Sequence, residues 1–452
     1  MNQGLTIVPP PVVGEALRRL EARGFRAWCV GGCVRDSLLG KAPSDWDIAT
    51  SALPQETKAC FAGERLVEAG AAHGTIAWVP SGDHPIEITT FRSDGAYTDG
   101  RHPDSVAFSR RLEDDLSRRD FTVNAMAWHP QRGLVDLFHG QEDLSAGLLR
   151  CVGEPARRFS EDALRILRCL RFSSQLGFAI HPDTARALWE KRELLLALSH
   201  ERVREELTKL LCGQGAAAVL RQYAAVVFTV LPELAPMKGC AQETPYHCFD
   251  VWEHTLHAVD YAPQQGDLRW AALLHDAGKP GRKTRSADGV AHFYGHPPES
   301  GRIARQLLTR LRFSNKERDW IAALVDHHED AMPMGEAHLK GLLGRYGERF
   351  VFTLFQLQEA DMSAKAPGVF ARRLPDLEES RALARAILER GDCLTLGDMA
   401  LTGEDLKALG VAPGPEMGKL LRRLLEAVQQ GEAANTPAAL GELAKRLLKR
   451  GL

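Results

Sequence analysis

Two aspartates with a two-residue spacing, Asp45 and Asp47, point directly to chemistry. Residues i and i+2 of a β-strand face the same side, so a strand over 45–49 would place both carboxylates together. Neighbouring carboxylates repel each other unless a cation lies between them. Two Mg²⁺ ions about 3.5–4 Å apart are the arrangement that phosphoryl- and nucleotidyl-transfer sites use. The alternative is a solvated edge strand that carries two acids.

A glycine turn precedes these aspartates. Gly31 and Gly32 follow a predicted strand and open a short predicted helix, where backbone amides can approach a phosphate closely. Arg35 lies one turn into that helix and could clamp the same phosphate. A Gly-Gly turn alone is weak evidence, but its position a short distance upstream of the aspartates favours a phosphate site.

Two further residues could extend this site. Glu87 lies between apolar residues on a predicted strand, and it could either complete a carboxylate set for the metals or pair with a neighbouring arginine. Arg119 lies in a run of cations and hydrogen-bonding side chains, 118–125. This run could be a capped helix start, but beside a two-metal site Arg119 is better interpreted as a triphosphate or sugar ligand.

One aspartate and three arginines are spaced three residues apart along a predicted helix over 161–171. At about 100° per residue, Asp162, Arg165 and Arg168 step around the face opposite the apolar stripe, whereas Arg171 lies half a turn from Asp162. An exposed i,i+3 ion pair would explain the pattern. The functional interpretation is base reading: a carboxylate accepts from an exocyclic amine and a guanidinium donates to a ring acceptor. That pair accepts C and A and rejects U and G.

A second constellation lies in the other half of the chain, and its members are histidines and aspartates: His254, His275, Asp276, His296, Asp326, His327 and His328. Adjacent His and Asp at a helix end can ligate one or two divalent ions if neighbouring helices supply further ligands. His254, His275 and Asp276 are the predicted ligands. Asp326, His327 or His328 closes the site, and His296 either supports the ligands through a hydrogen bond or binds a second metal.

The elements that must position these residues divide the chain. Strand-like segments over 26–30, 45–49, 75–79 and 86–91 alternate with helices such as 14–23 and 55–61, whereas helical periodicity dominates after about residue 155. A length of 452 residues suggests two to four domains. Breaks in periodicity are predicted at 212–217, 237–245 and 373–375.

Composition excludes several classes of protein. The chain has 57 Lys and Arg against 59 Asp and Glu, so its net charge of −2 excludes a globally basic coat for nucleic acid. It contains no apolar run of the roughly 18 residues that span a bilayer, and its beginning lacks a secretory pattern. Its nine cysteines include no CxxC pair, which predicts reduced thiols and a cytoplasmic location.

Four ordered motifs resemble one known family. GGCVRD at 31–36, DWD at 45–47, RRDFTVNA at 118–125 and EDALRILRCLRF at 161–172 are similar to those of the class II tRNA nucleotidyltransferases, the CCA-adding enzymes, and the related poly(A) polymerases. GAYTDGRHP at 95–103 resembles the flexible loop between two head strands of that family.

The resemblance implies an α+β fold. A small nucleotidyltransferase head with a mixed five-stranded sheet is expected over 1–145, and a helical neck with the base-reading helix over 146–212. A helical body over 213–372 and a helical tail over 373–452, a candidate RNA-binding region, follow.

It also implies roles for individual residues. Gly32 and Arg35 would contact the triphosphate, Asp45 and Asp47 the Mg²⁺ ions, and Arg119 the incoming nucleotide. Asp162 and Arg165 would read its base. The family also uses the arginines that match Arg168 and Arg171; helix geometry supports the first and leaves the second as a phosphate or support residue.

The histidine-rich segment resembles the HD superfamily of metal-dependent phosphohydrolases, through VWEHTL, LLHDAGK, FYGHPPES and LVDHH. The resemblance places an HD domain over about 245–340. Its imidazole ligands suit a transition metal such as Mn²⁺, Ni²⁺ or Co²⁺.

The expected activity is the addition of CMP and AMP to the 3′ end of tRNA, with tRNA, CTP and ATP as partners and neither a membrane nor a protein partner. Two alternatives remain. The first is an A-adding enzyme or poly(A) polymerase on the same scaffold. The second is an HD phosphohydrolase whose head senses a nucleotide. The tail has a basic helix that includes 419–423, after a Gly-rich turn, and a final helix that carries Lys445, Arg446, Lys449 and Arg450. These helices are either packed helices with a solvated face or a surface for tRNA.

Overall fold

The computed structural model describes residues 7–82, 84–94 and 106–450. The chain forms two compact units, Met1–Val230 and Leu231–Leu452. The loop predicted at 95–103 lies outside the described residues. Within the described part of the chain, no helix is both long enough and apolar enough to cross a membrane.

The first unit contains most of the strands. They are β1 (Ala27–Val30), β2 (Asp47–Thr50), β3 (Leu66–Val67), β4 (Thr75–Trp78), β5 (Ile86–Thr90), β6 (Arg92–Asp94), β7 (Val106–Phe108), β8 (Met126–His129), β9 (Gly133–Asp136), β10 (Leu148–Leu149) and β11 (Ala179–Ile180). Seven of them form one mixed sheet in the order β3-β4-β5-β2-β1-β8-β9. The pair β2 and β5 is parallel and the other pairs of this sheet are antiparallel.

The helices of the first unit are α1 (Pro11–Glu21), α2 (Gly32–Leu38), α3 (Pro54–Cys60), α4 (Leu112–Ser117), α5 (Gly140–Ser145), α6 (Pro155–Glu161), α7 (Leu164–Leu176), α8 (Pro182–Glu190), α9 (His200–Leu211), α10 (Ala216–Gln222) and α11 (Ala224–Val230). The core between sheet and helices includes Trp28, Val30 and Phe91. Burial alternates along β5, where Ile86, Ile88 and Thr90 face inward and Glu87 is exposed.

The second unit is almost wholly helical. Its helices are α12 (Val251–Tyr261), α13 (Gly266–Leu274), α14 (Lys279–Arg282), α15 (His296–Arg310), α16 (Asn315–His327), α17 (Glu336–Tyr346), α18 (Glu348–Ser363), α19 (Val369–Glu389), α20 (Gly403–Ala408), α21 (Pro415–Gln429) and α22 (Pro437–Lys449). A small hairpin joins β12 (Thr284–Arg285) to β13 (Ala291–His292). The last three helices pack around a core of their own that includes Leu406, Leu420 and Leu440.

The predicted α+β class is confirmed, with two corrections of detail. The sheet has seven strands rather than five, because the two-residue β3 and the hairpin β8–β9 join the four strands predicted at 26–30, 45–49, 75–79 and 86–91. The break predicted at 373–375 is wrong, since α19 continues through Pro375. The helix keeps a buried face on the far side of Pro375, which includes Leu377 and Ile387.

Candidate active site and metal centre

The glycine turn joins β1 to α2 and closes one wall of the first site. Gly31 has φ +77°, a value that favours glycine, and a Cβ atom there would lie 2.8 Å from Nη1 of Arg119. Any larger residue would therefore displace this guanidinium. The turn and the Arg119 side chain are therefore in close contact, although they are almost ninety positions apart in the sequence.

Asp47, beside the turn, lies close enough to two other carboxylates, those of Glu87 and Asp45, to feel their charge. Asp47 begins β2 and is in register with Glu87 on the parallel strand β5. Asp45 precedes the strand, contrary to the predicted strand over 45–49; it is exposed, and its Oδ2 accepts a hydrogen bond of 2.9 Å from Ser44. Burial and the negative charges of Glu87 and Asp45 raise the pKa of Asp47 to about 6, although Arg119 opposes the shift. A cation would relieve this repulsion, so the donor set fits a divalent metal.

Two arginines of the site are held by internal partners. Arg35 is buried, and its Nη1 donates to Oδ1 of Asn124 at 2.7 Å while its Nε donates to Asp36 at 2.8 Å. Arg119 donates through Nη2 to Asp115 at 3.0 Å. Both guanidinium groups are thus fixed in position before any ligand binds.

Asp162 lies just before the helix, not within it as predicted. Its φ of −141° and ψ of 106° are extended, and α7 begins only at Leu164. The Asp162 carboxylate caps this helix by accepting from the amide of Leu164 at 3.0 Å, and it also accepts from Nη2 of Arg202 at 3.3 Å. Arg165, predicted as its partner, instead donates to Glu161 at 2.9 Å.

The arginines one and two turns further along α7 also reach the site. Arg168 donates to Asp120 at 2.6 Å. Burial alone would raise the pKa of Asp120, but the Arg168 guanidinium brings it down to about 2. Arg171 contacts Glu206 and lies 4.2 Å from the ring of Phe172. Helix geometry does not relate Arg171 to Asp162, because Asp162 lies outside the helix; the predicted role of Arg171 as a phosphate or support residue stays a prediction.

One cavity of about 720 Å³ unites these residues. All the predicted residues of the head and neck except Glu87 line it: Gly31, Gly32, Arg35, Asp45, Asp47, Arg119, Asp162, Arg165, Arg168 and Arg171. Asp120, Asn124 and Arg202 also line it and were not predicted. The first two lie within the run 118–125 already singled out, whereas no local pattern marks Arg202 on α9.

The second site is built from six buried side chains of the second unit. These side chains form two groups, and within each group the candidate ligand atoms lie within 4.8 Å of one another. The first group is His254, His275 and Asp361, and the second is Asp276, His296 and His328. The helices α12, α13, α15, α16 and α18 supply these residues or end beside them.

Asp276 joins the two groups. Its Oδ2 lies 3.4 Å from Nε2 of His254 and 3.2 Å from Nε2 of His275, and its Oδ1 lies 3.2 Å from Nε2 of His296. The carboxylate is fully buried, and the Lys279 ammonium forms an ion pair with Oδ2 at 2.8 Å. Burial alone would raise the pKa of Asp276, but His275 and Lys279 hold it well below its ordinary value. An ionised carboxylate among imidazole nitrogens fits divalent metal ions, with Asp276 able to bridge two of them.

Of the three candidates Asp326, His327 and His328, only His328 faces the buried cluster, and Asp361 joins it there. Nε2 of His328 lies 3.3 Å from that of His296, and Oδ1 of Asp361 lies 2.9 Å from Nε2 of His254. Asp326 instead pairs with Arg305 at the surface, and His327 turns away from the cluster. Consecutive residues at a helix end point about 100° apart, so only one of the three can face the cluster.

The sheet, the carboxylates and the arginine-lined cavity are those of a nucleotidyltransferase with a head of the poly(A) polymerase type. Residues 27–150 match the family model of the "Poly A polymerase head domain". Residues 177–237 match the "Probable RNA and SrmB- binding site of polymerase A", and residues 299–444 match a second domain of tRNA nucleotidyltransferases.

The chain belongs to the family of CCA-adding enzymes. It is 34% identical to the CCA-adding enzyme of Lactobacillus delbrueckii subsp. bulgaricus over 94% of this chain and 95% of that one, and 36% identical to that of Limosilactobacillus fermentum over 96% of both. The crystal structure of the Bacillus stearothermophilus CCA-adding enzyme in complex with CTP covers 98% of this chain and 100% of its own, with a TM-score of 0.74 and 31% identity. Nucleotidyltransferases of this family use divalent metal ions.

Proposed function

We propose that this protein adds CMP and then AMP to the 3′ end of tRNA and releases pyrophosphate at each step. Membership of the CCA-adding family supports this function. The observation that carries it is the single cavity in which the glycine turn, the aspartate pair and the base-reading residues meet. We place the reaction in the cytoplasm, on the grounds of the cysteine pattern.

Each group in the cavity has a proposed part in the reaction. Asp45 and Asp47, with Glu87 as a third carboxylate, would hold Mg²⁺ ions; bound there, Mg²⁺ supplies charge to activate the terminal hydroxyl and stabilise the leaving group. The amides of Gly31 and Gly32 and the guanidinium of Arg35 would bind the triphosphate. Arg119, Arg168 and Arg171 would orient the nucleotide and neutralise its charge.

The base is proposed to be read by Asp162 and Arg165. The hydrogen bonds from Leu164 and Arg202 fix the Asp162 carboxylate, so that it can accept from the amine of cytosine or adenine without reorganising. Uracil and guanine would present a carbonyl to this carboxylate, and the pair would repel.

Incubation with defined tRNA ends tests the function. The purified protein is given tRNA that ends at the discriminator base, at C or at CC, with each labelled nucleotide in turn. We expect CMP on the first two substrates and AMP on the third. AMP addition on all three, or AMP on CC alone without CMP on the shorter ends, would contradict CCA addition and indicate a poly(A) polymerase or an A-adding enzyme respectively.

Replacing Asp162 by Ala should damage base choice more than phosphate binding. We expect incorporation of UMP or GMP relative to CMP to rise about tenfold, because the acceptor that rejects a carbonyl is lost. Arg165→Ala should act in the same direction, whereas Arg35→Ala should weaken all four nucleotides alike. Single-nucleotide rates on tRNA ending at the discriminator base measure this, and an equal loss for every nucleotide in Asp162→Ala would contradict base reading.

The buried histidine cluster supports a second activity on the same chain. The six buried side chains would hold divalent metal ions, which would supply an activated water for hydrolysis of a phosphoester. Mn²⁺, Ni²⁺ or Co²⁺ would occupy it more readily than Mg²⁺, because imidazole ligands favour transition metals. The alternative is a phosphohydrolase whose head only senses a nucleotide. This alternative predicts hydrolysis without any nucleotide addition.

The tail is proposed to contact tRNA through shape and phosphates. The apolar face of α21 packs into the core of the last helices through Met417, Leu420 and Leu424, while Lys419 and Arg422 remain exposed. Lys419 pairs with Glu416 at 2.8 Å, so part of the basic charge is already compensated within the helix. Packing and RNA contact are therefore compatible on opposite faces of one helix.

A further inference from the structure

A third group of ligand side chains lies at the surface of the second unit, where α16 ends and α17 begins. Nδ1 of His327 and Nε2 of His338 lie 2.8 and 2.7 Å from the same atom, Oδ2 of Asp330. We propose that His327, Asp330 and His338 bind a divalent transition metal ion, such as Zn²⁺ or Co²⁺, at a site separate from the buried cluster. The proposal does not depend on either activity described above.

The ligand set is of the kind that binds such metals. Two imidazoles and one carboxylate are the usual protein ligands of an open zinc site, in which a fourth position is left for water. The three ligand atoms lie within 4.8 Å of one another. The His338 side chain is 45% exposed, so solvent can reach this fourth position.

The ligands are held in place by the surrounding structure. The ring of His327 packs against those of Tyr346 and Phe350, with centroids 5.7 and 6.1 Å away. The backbone carbonyl of Asp330 accepts from Nε2 of Gln358 at 3.2 Å. Two of the three ligands are thus oriented before metal arrives, which lowers the entropic cost of binding.

The two histidines at the end of α16 face different groups of ligands. In the surface group, both imidazole rings approach one carboxylate oxygen, Oδ2 of Asp330. Nearby, Nδ1 of His328 lies 2.7 Å from the carbonyl of Val325, and Nε2 of this ring faces His296 in the buried cluster. Adjacent histidines consequently serve two different sites.

A metal at this point would join the end of α16 to the first turn of α17. The segment between them carries His328 into the buried cluster, so the surface ion would stabilise that segment as well. This effect follows from closing a loop whose two ends are both ligands.

Metal titration of the whole protein tests the proposal. Protein stripped with a chelator is titrated with Co²⁺ and followed by calorimetry and visible absorption, alongside His338→Ala. The matched control is His139→Ala, because His139 is also exposed and lies 3.3 Å from a carboxylate, that of Glu142, but belongs to no three-ligand group of the described residues.

We expect His338→Ala to lose one equivalent of bound Co²⁺, or to bind that equivalent at least about tenfold more weakly. His139→Ala should match the unaltered protein. In Asp276→Asn the surface equivalent should remain while binding to the buried cluster weakens. If His338→Ala, shown by circular dichroism to be folded, binds the same number of ions with the same affinities, the cluster is only a hydrogen-bonded group and the proposal is wrong.

Discussion

Replacing Asp47 by Asn should abolish incorporation of both CMP and AMP, with a loss of at least about 10³-fold in rate. The substitution keeps the shape of the side chain but removes the charge that would hold a metal ion at the start of β2. Asp47 faces Glu87 across the parallel strand pair, so the amide would also weaken the remaining carboxylate set. Asp45→Ala should have the same effect. Single-turnover addition in Mg²⁺ to tRNA ending at CC or at the discriminator base measures it.

The controls separate catalysis from binding and folding. The affinity for tRNA should remain within a few-fold in both variants, because neither carboxylate is proposed to contact the body of the tRNA. Glu142→Gln removes an exposed carboxylate of the same unit that does not line the cavity, and it should retain full activity. Turnover near the normal rate in Asp47→Asn would remove this carboxylate from the proposed mechanism.

The second large effect is expected at the buried histidine cluster. Asp276→Asn should weaken transition-metal binding there by at least about 100-fold and eliminate metal-dependent hydrolysis of cyclic phosphates or nucleoside phosphates. The reason is that both Asp276 oxygens face imidazole nitrogens, so one neutral amide disrupts both ligand groups. His275→Ala should act similarly. Metal analysis of the purified protein and a phosphatase assay with Ni²⁺, Co²⁺ or Mn²⁺ measure the two effects.

Nucleotide addition should stay within a few-fold in these variants. Each site takes its ligands from its own unit: oxygen donors in the first, imidazoles and carboxylates in the second. Asp326→Asn is the matched control, since Asp326 belongs to the same sequence motif but pairs with Arg305 outside the cluster. A collapse of CMP and AMP addition in an Asp276→Asn protein with a normal circular dichroism spectrum would show that the two sites are coupled.

Much of the head could be predicted from local sequence. The segments predicted as strands at 26–30, 75–79 and 86–91 correspond to β1, β4 and β5 within one residue at either end. Their apolar residues are bounded by Gly, Pro or Asp, and this pattern depends only on neighbours in the chain. The two-residue β3 carries too little pattern to be recognised in this way.

Some failures arose because a helical rule was extended past the helix. A rotation of 100° per residue relates Asp162 to Arg171 only if both lie in one continuous helix, but the chain is extended at Asp162. The Asp162 side chain then caps α7 and meets Arg202, forty residues later. The periodicity of apolar residues predicts neither a hydrogen bond from a side chain to a helix end nor an ion pair with a residue on another helix.

The sequence by itself determined which chemical groups this protein possesses and which of them lie close along the chain: the glycine turn, the aspartate pair, the Asp-Arg helix and the adjacent His275 and Asp276. Only the tertiary structure decided that Asp361 and His328 complete the buried cluster and that Asp326 and His327 do not. The physical reason is that the residues of a metal site come from several helices, which bring their side chains together only when the helices pack. A rotation of 100° between consecutive residues selects one side chain and turns its neighbours away, and helix packing alone sets the direction of that rotation.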